Sequence, residues 1–437
     1  MKANTAILCE DLHFQYETQS SPVLTGLNIE INRGEFIVVA GPSGEGKSTF
    51  CRTLNNIIPL FYKGSLSGKR WVAGDWLAQQ AISSVARKVG MVFQDFEQQL
   101  FSTSALLELS FGLENFAVPE KEMRYRLDSL IEKFGLTRLA AREPFSLSGG
   151  EKQKLAIASV LAYKPEILVL DEPTTDLDPE SREFVLQVLP KLKDWVETIV
   201  VVDHETEYFK NADRVFLFRE GQIKTSGAPA EILTQSSLLT DNSLAPLDSI
   251  RIQEALGQTP TLLPLEAMAA SLENYELKPI PSQPRTDSPV AIQARDLTFH
   301  YEGQASPALD SVTFEIRKGE FVGIIGQNGS GKSTLLKHLN GLQLPHKGTV
   351  EVFNKPTDKW NRQELARRVG LVFQNPDHQI FSSSVREEIE FGPRRFGFSE
   401  EQMKTNVDRA IETMDLQHQV ERDPFQLSKG ERQRVAV

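Results

Sequence analysis

Two stretches of the chain open with the same alternation of apolar and polar residues. AILCEDLHFQY (6–16) and AIQARDLTFHY (291–301) both favour half-buried antiparallel strands. Each is followed by a β-rich run, a glycine-rich loop and a helix-forming segment. The short apolar runs FIVVA (36–40) and FVGII (321–325), which enter those loops, are predicted as buried strands. This order predicts an α/β core that is present twice.

The repetition extends over most of the chain. LNIEINRGEFIVVAGPSGEGKST (27–49) matches VTFEIRKGEFVGIIGQNGSGKST (312–334), and VGMVFQDFEQQLFSTS (89–104) matches VGLVFQNPDHQIFSSS (369–384). SLSGGEKQKLAI (146–157) matches QLSKGERQRVAV (426–437), where the printed chain ends. The expected organisation is a first domain at 1–235, a linker with helical segments at 236–290 and a second domain at 291–437 that stops after the last matched block.

The segment between the two copies differs from both in composition. Residues 225–290 contain eight acidic residues but only three basic ones, so the segment is acidic rather than basic. Helical segments are expected in its first half and in LEAMAASLENYEL (265–277). Its end, KPIPSQPRTDSPV (278–290), is rich in proline and serine and is predicted to be an extended linker.

Composition narrows the functional classes. With 40% apolar and 24% charged residues, the chain is ordinary for a globular protein. The net charge of −11 argues against nonspecific nucleic-acid binding, which requires a cationic surface. Cys9 and Cys51 are interpreted as buried thiols in a reducing compartment rather than as ligands or nucleophiles. No apolar run approaches the ~20 residues needed to cross a bilayer.

Two glycine loops carry the clearest chemical signal. GPSGEGKS (41–48) and GQNGSGKS (326–333) both fit the phosphate-binding pattern G-x-x-x-x-G-K-S/T. Glycine allows the backbone N–H groups to point at a phosphate, and the positive end of the following helix favours the anion. The predicted nucleotide-binding residues are Gly41, Ser43, Gly44, Gly46, Lys47, Ser48 and Thr49 in the first loop, and Gly326, Asn328, Gly329, Gly331, Lys332, Ser333 and Thr334 in the second. The lysines are expected to reach phosphate, and Ser48 and Ser333 to ligate Mg²⁺.

SLSGGEKQ (146–153) followed by EILVLDEPTTDLDP (166–179) resembles the signature and Walker B regions of ABC ATPases. The family's motifs occur in order over almost the whole chain. The resemblance implies an α/β fold, a P-loop NTPase core with an antiparallel β subdomain and a helical signature subdomain, present twice with the second copy incomplete. It also implies ATP and Mg²⁺ as cofactors.

The resemblance assigns roles residue by residue. Gln94 and Gln374 correspond to the glutamine that senses Mg²⁺ and the attacking water, and Asp171 to the aspartate that holds Mg²⁺ through water. Glu172 corresponds to the general base. His204 corresponds to the histidine that contacts the γ-phosphate.

Two aromatic residues have a weaker assignment. Tyr16 and Tyr301 correspond to the aromatic residue that stacks on adenine, although an aromatic at a strand end is as often part of the core. The sequence leaves both interpretations open.

The family mechanism requires two ATPase domains that face each other head to tail, either within one chain or between two chains. Ser148 and Gly150 of the first signature, and Ser428 and Gly430 of the second, are then expected to complete the phosphate cage across the interface. Lys429 replaces a glycine there, and its side chain could either crowd the phosphate or help to hold it.

The two composite sites are therefore expected to be unequal. The printed chain has no second Walker B region and no second histidine, so only the site built on Lys47 has a full set of catalytic groups. The missing strands would also leave the second sheet incomplete. We expect the chain to be a truncated form of a longer protein.

QDFEQQLFSTSALLELSFG (94–112) and QNPDHQIFSSSVREEIEFG (374–392) resemble the energy-coupling-factor subfamily of importers. The resemblance implies a transmembrane coupling subunit and a separate substrate-binding membrane subunit as partners, a peripheral location at the cytoplasmic face of the cell membrane, and a vitamin, vitamin precursor or metal ion as cargo. Gln99, Phe101, Gln379 and Phe381 would line or support the docking groove, or pack the helical subdomain internally.

Two other classes of ABC ATPase fit the sequence less well. Ribosome-associated members join their modules by a long, usually basic helical arm, whereas residues 225–290 are acidic and proline-rich. DNA-repair members carry zinc modules or coiled-coil insertions, and neither pattern occurs in this sequence. The expected partners therefore include no nucleic acid.

Overall fold

The computed structural model describes residues 4–175, 177–273, 275, 288–303, 306–327 and 329–437. Residue contacts divide the chain into unit one (1–278) and unit two (279–437). The described residues of unit one form the strands β1 (Thr5–Tyr16), β2 (Leu24–Asn32), β3 (Phe36–Ala40), β4 (Gly64–Val72), β5 (Asp75–Trp76), β6 (Val89–Val92), β7 (Ile167–Asp171), β8 (Thr198–Val202), β9 (Arg214–Arg219) and β10 (Gln222–Gly227). Its helices are α1 (Lys47–Leu54), α2 (Ile57–Leu60), α3 (Ile82–Ala86), α4 (Ala105–Asn115), α5 (Glu120–Lys133), α6 (Gly149–Ala162), α7 (Pro179–Val188), α8 (Pro229–Leu233), α9 (Ser236–Asp241), α10 (Asp248–Ala255) and α11 (Leu265–Leu272).

Unit one contains two sheets. The larger has the order β10-β9-β3-β8-β7-β6, and it is parallel except for β10, which pairs antiparallel with β9. The smaller is antiparallel, in the order β2-β1-β4-β5. The prediction of a parallel core with an antiparallel subdomain is confirmed.

The central strand β3 explains how unit one is layered. All five of its residues are buried, as expected for a parallel strand covered on both faces. Phe36, Val38 and Ala40 belong to the apolar cluster that includes α4, α5 and α6, whereas Ile37 and Val39 belong to the cluster shared with α1 and the antiparallel sheet. Because its residues alternate between the two clusters, β3 joins the two halves of the core. Full burial of one such side chain contributes roughly 1.5–3 kcal/mol.

The helical segments predicted between the copies are present. α9, α10 and α11 lie in unit one, and α11 falls within the predicted segment LEAMAASLENYEL. Most of the predicted extended linker at 278–290 lies outside the described residues. Within the described part of the chain, no helix is long and apolar enough to span a membrane.

Unit two repeats the antiparallel sheet and the helical subdomain. Its described strands are β11 (Val290–Phe299), β12 (Leu309–Arg317), β13 (Lys347–Val352) and β14 (Lys355–Pro356), in the order β12-β11-β13-β14. Its helices are α12 (Lys332–Leu339), α13 (Arg362–Ala366), α14 (Val385–Arg395), α15 (Glu400–Thr413) and α16 (Lys429–Ala436). One small apolar cluster lies against the sheet, and another lies among α14, α15 and α16.

The strand predicted for FVGII is wrong for this structure. Residues 321–325 form no strand, and Phe321 and Ile325 are almost fully exposed. In unit one the equivalent strand β3 pairs with β8 and β9. Among the described residues of unit two, the four strands all belong to the antiparallel sheet, so 321–325 have no parallel strand beside them with which to pair.

Candidate functional site

The candidate site lies at the carboxyl ends of four neighbouring parallel strands. β3 is followed by Gly41, β6 by the segment that contains Gln94, and β8 by Asp203, while β7 ends in Asp171. Because these strands are adjacent in the order β3-β8-β7-β6, the four segments meet at one edge of the sheet. In open α/β sheets this edge is where ligands bind.

The first glycine loop runs from β3 into α1 and has the backbone conformation that its glycines allow. Gly44 and Gly46 have φ values of 84° and 103°, in the left-handed region that favours glycine. A Cβ atom on Gly46 would lie 2.8 Å from the carbonyl oxygen of Val23, so no other residue fits. Ser43 at the tip of the loop is exposed, and α1 begins at Lys47.

Lys47 is buried inside this loop. Its Nζ donates to the carbonyl oxygens of Gly41 (2.8 Å) and Pro42 (2.6 Å), and the residue is only 4% exposed. Burial lowers the pKa of Lys47, and the carboxylates of Glu172 and Asp171 act in the opposite direction. The first loop therefore holds a cation close to the acidic end of β7.

The second loop repeats much of this geometry. Lys332 Nζ donates to the carbonyl oxygens of Gly326 (2.7 Å) and Gln327 (2.6 Å), and Gly329 and Gly331 have φ values of 79° and 89°. Asn328, which was predicted to bind nucleotide, lies outside the described residues. The side chains of Ser333 and Gln374 are exposed, and the structure records no hydrogen bond from either to another described residue. The second loop is thus formed without the acidic cluster that accompanies the first.

Tyr16 and Tyr301 occupy equivalent positions in the two units. The Tyr16 hydroxyl lies 3.0 Å from Thr49 Oγ1, and the Tyr301 hydroxyl lies 3.1 Å from Thr334 Oγ1. Each ring also makes an edge contact with the phenylalanine two residues earlier in the chain. The structure therefore ties each tyrosine to the first turn of the helix after its glycine loop, whereas stacking on adenine stays a prediction.

Asp171 and Ser48 form the first contact between β7 and the loop. Ser48 Oγ donates to Asp171 Oδ1 at 2.9 Å. Asp171 Oδ2 is buried and has no hydrogen-bond partner among the described residues. Burial raises the pKa of Asp171 to about 6 although the Ser48 hydrogen bond opposes the shift. A buried carboxylate with one free oxygen beside a serine hydroxyl fits a hydrated Mg²⁺ ion.

Glu172 has an unusual backbone conformation. Its φ of 48° lies in the left-handed region, which is rare for a residue that is not glycine, asparagine or aspartate. Its N–H donates to Val202 O at 2.8 Å, and its Oε2 accepts hydrogen bonds from Gln94 Nε2 (2.7 Å) and Thr175 Oγ1 (3.1 Å). These contacts hold the carboxylate in one orientation beside Asp171.

Asp203 completes the acidic group and was not predicted. It is fully buried; its Oδ1 accepts the backbone N–H groups of His204 (2.7 Å) and Glu205 (3.1 Å), and its Oδ2 accepts the Thr174 hydroxyl (3.2 Å). His204 itself is nearly half exposed, and its Nδ1 lies 3.6 Å from Asp203 Oδ1. The signal was available in the sequence, since TIVVVD, like ILVLD, is an apolar run that ends in aspartate.

Asp203 is expected to lower stability at neutral pH. Burial raises the pKa of Asp203 to about 6, above the unfolded value of 3.8. In the folded state Asp203 therefore keeps its proton to higher pH, and ionisation of this buried carboxyl above pH 6 makes folding less favourable. The penalty disappears as the pH falls through 6 towards 4. Asp203→Asn, which keeps a hydrogen-bond acceptor, should raise the unfolding temperature at pH 7.5 and raise it less at pH 5.

Asp213→Asn is the matched control with the opposite sign. Partial burial by itself would raise the pKa of Asp213. The hydrogen bonds from Lys193 and from the Phe36 N–H outweigh this effect, so the pKa of Asp213 is lowered. Asp213→Asn should therefore destabilise the protein at pH 7.5, and the loss should shrink in acid. Thermal unfolding followed by circular dichroism checks both variants. Equal effects at both pH values would contradict the explanation by burial.

The two signature segments form the starts of α6 and α16. Ser148 and Ser428 are the N-cap residues, and each exchanges hydrogen bonds with the glutamate three residues later in a capping box. Their hydroxyls donate to Glu151 Oε2 (3.0 Å) and Glu431 Oε2 (2.8 Å). The side chain of Lys429 lies outside the described part of the structure, so its predicted influence on phosphate is not tested.

The two signature glycines differ in their surroundings. Gly150 is buried against Ser181 of α7, whereas Gly430 is exposed. Within the described residues, no hydrogen bond or ion pair joins Ser148 or Gly150 to the acidic group of their own unit. The cluster at the strand ends is therefore formed without the signature segment.

The predicted groove residues fall into two groups. Gln99 and Gln379 make hydrogen bonds to the backbone of their own units. Gln99 accepts the N–H of Phe93 and Gln379 accepts the N–H of Phe373, both at 3.3 Å. Gln99 also donates to Met91 O at 3.2 Å. Phe101 and Phe381 point outward, with 57% and 60% of their surface exposed. The glutamines support the segment and the phenylalanines form its surface.

Comparison with known proteins gives consistent results. The ABC transporter family model matches residues 24–175 and 309–437. A protein of Caldanaerobacter subterraneus subsp. tengcongensis, named as a candidate ABC transporter ATP-binding protein, is 42% identical over 99% of this chain and 78% of its own length. A similarly named protein of Methanosarcina acetivorans is 37% identical over 98% of this chain and 73% of its own length.

One solved structure supports the same relationship. The protein cbiO1 from Clostridium perfringens, described as part of the ABC transporter complex cbiONQ, is 31% identical and gives a TM-score of 0.50. The match covers 58% of this chain and 99% of cbiO1.

Proposed function

The chain belongs to the ABC transporter family, whose ATP-binding proteins hydrolyse ATP, and from this premise we propose that it powers a membrane importer of the energy-coupling-factor type. Its partners would be a transmembrane coupling subunit and a separate substrate-binding membrane subunit, at the cytoplasmic face of the cell membrane. The cargo would be a vitamin, a vitamin precursor or a metal ion. The neighbour cbiO1, itself part of a transporter complex, supports this class of assembly.

The first loop provides the ATP site. Backbone N–H groups of residues 41–49 would surround the β- and γ-phosphates, and Lys47 Nζ would exchange its two carbonyl acceptors for phosphate oxygens. Tyr16, already fixed to Thr49, would pack against the adenine. Lys332 and Tyr301 would act in the same way at the second loop.

The residues at the end of β7 fit Mg²⁺. Ser48 Oγ would ligate the ion directly, with Asp171 acting through water and Gln94 completing the set. Oxygen donors shared with phosphate are the usual environment of Mg²⁺, and the described residues contain no cluster of three His, Cys, Asp or Glu that could hold a metal alone. When bound, the ion neutralises charge that develops on the phosphates.

Glu172 would act as the general base. Its carboxylate would take a proton from the attacking water, while Gln94, which donates to Glu172 Oε2 at 2.7 Å, would orient that water. His204 would hold the γ-phosphate from the adjacent loop. Phosphoryl transfer depends mainly on positioning and charge, and the fixed hydrogen bonds of Glu172 provide the positioning.

Two ATPase domains would pair head to tail during turnover. Ser148 and Gly150, or Ser428 and Gly430, would then cap the nucleotide held by the opposite domain. The exposed position of both serine hydroxyls at helix N-termini suits this role, because the positive end of a helix favours phosphate.

The observation that carries the importer proposal is a repeated pair of exposed aromatic rings. The rings of Phe101 and Phe111 make an edge contact with their centres 4.7 Å apart. The rings of Phe381 and Phe391 make the same contact, also with their centres 4.7 Å apart. In both units the second ring belongs to the helix that follows the segment containing Gln99 or Gln379, which is α4 or α14. Apolar rings that stay exposed in both copies suit an apolar helix from a membrane partner.

Substitution of these rings tests the proposal. Phe101→Ser combined with Phe381→Ser should abolish co-purification with detergent-extracted membrane proteins because the apolar contact is lost. ATP binding by the chain should stay intact. Tyr125→Ser is the matched control, since Tyr125 is 73% exposed on α5. Retention of membrane partners by the double variant, or recovery of ribosomes instead, would contradict the importer assignment.

A further inference from the structure

The loop that carries His204 is fixed on both sides of the histidine by residues from one segment of the chain. Before His204, Asp203 accepts the Thr174 hydroxyl at 3.2 Å. After it, Glu205 accepts Arg182 Nη2 at 2.7 Å. Thr174 lies in the loop that follows Glu172, and Arg182 lies near the start of α7, the helix after that loop. His204 therefore lies between two tethers that originate near the candidate base.

Arg182 makes a second contact with the same loop. Its Nη2 also donates to Glu207 Oε2 at 3.0 Å, so a single nitrogen bridges two carboxylates. The Arg182 and Glu205 side chains are each one-third exposed, which places the pair at the edge of the protein rather than free in solvent. We call Arg182, Glu205 and Glu207 the Arg182 latch.

The helix that carries Arg182 is itself firmly held. Asp178 caps α7 by accepting the Ser181 N–H at 2.9 Å. A Cβ atom on Gly150 of α6 would fall 1.9 Å from Ser181 Oγ, so the two helices are in close contact. Lys154 of α6 also lies 4.0 Å from the centre of the Phe184 ring. Arg182 is thus a fixed anchor for a loop whose histidine is nearly half exposed.

We propose that Arg182 is a positioning residue for hydrolysis, which sets the place of His204 relative to Glu172 through the Arg182 latch. The inference rests on the proposed ATPase role of this site. Arg182 touches neither the glycine loop nor the acidic group directly among the described contacts, so its loss should leave ATP binding intact. Small misplacement of a catalytic group is enough to slow a reaction substantially.

Steady-state kinetics of the full chain test the latch. Arg182→Gln should lower kcat by roughly three- to tenfold, the effect of losing about 1 kcal/mol of positioning, with little change in the KM for ATP. Because one nitrogen makes both contacts, Arg182→Lys should restore most of the rate. Glu205→Gln combined with Glu207→Gln should reproduce the loss, and adding Arg182→Gln should cause no further decrease.

The controls separate positioning from simple stabilisation. Arg124→Gln removes an exposed ion pair with Glu120 on α5 and should change neither kcat nor the unfolding temperature. An unchanged kcat in Arg182→Gln, or a loss that Arg182→Lys does not restore and that follows the unfolding temperature, would overturn the latch. If the unsubstituted protein hydrolyses ATP and the Glu172→Gln variant does not, the proposed function stands. Either of the two outcomes just described then rejects only the role of the Arg182 latch. No turnover in the unsubstituted protein would overturn both the latch and the proposed function.

Discussion

Replacement of Glu172 by glutamine is expected to lower ATP turnover by a factor of about 10² to 10⁴, the usual contribution of a general base. Glutamine has nearly the same shape, and its carbonyl oxygen can accept the hydrogen bonds from Gln94 and Thr175 that Glu172 Oε2 accepts now. The variant therefore keeps the geometry and loses only the proton acceptor. ATP affinity should stay within about twofold, since no contact with phosphate is removed.

The measurement is steady-state phosphate release together with equilibrium nucleotide binding. Glu166→Gln is the matched control, because Glu166 immediately precedes the same strand β7 at its opposite end and pairs there with Arg33 at 3.3 Å. That variant should hydrolyse ATP at the normal rate. If Glu172→Gln retains full turnover, the general base lies elsewhere, and the assignment made from the order EILVLDEP is wrong.

The local backbone makes Glu172 a particularly informative position. A left-handed residue other than glycine costs about 1–3 kcal/mol and persists only when its surroundings fix it. Here the Val202 carbonyl fixes the N–H of Glu172, while Gln94 and Thr175 fix its side chain. Together with the buried carboxylates Asp171 and Asp203, this concentrates unfavourable energy at the strand ends, as is typical of functional sites.

Sequence reasoning predicted the parts of the site that depend on local pattern. The glycine loops, Lys47 and Ser48 follow from spacing, and the acidic end of β7 follows from the resemblance of EILVLDEP to a Walker B region. The parallel order of the strands then brings these segments together, which is a property of the fold class rather than of any single residue.

The missed features depend on contacts between distant residues. Arg182 could not be paired with Glu205 from the sequence, because nothing in α7 specifies which of many acidic residues it meets. The Tyr16 hydroxyl bond to Thr49 is similarly invisible, since spacing suggests only an aromatic at a strand end. FVGII was predicted as a strand from composition, but a parallel strand requires neighbours, and none is present beside it among the described residues.

Substitution of Lys47 by alanine is expected to weaken ATP binding at the first loop at least 100-fold. Lys47 is the buried cation of this loop, and hydrogen bonds to charged groups contribute about 1.5–3 kcal/mol each, so loss of contacts to two phosphate groups removes roughly 3–6 kcal/mol. The substitution also removes a cation that lies near the carboxylates of Glu172 and Asp171. In the unsubstituted protein these carboxylates oppose the effect of burial on the pKa of Lys47. Anionic phosphate would then approach an acidic group that has lost one of its nearby cations.

Nucleotide binding by equilibrium dialysis, with ATP and Mg²⁺, checks this expectation and separates the two loops. Lys47→Ala should lower the number of tightly bound nucleotides and abolish turnover, whereas Lys332→Ala should affect only the nucleotide held by the second loop. Lys193→Ala is the control, because Lys193 pairs with Asp213 at 2.7 Å near the start of β9, at the opposite edge of the sheet from the acidic group. Unchanged affinity and turnover in Lys47→Ala would show that the first loop does not hold the hydrolysed phosphate.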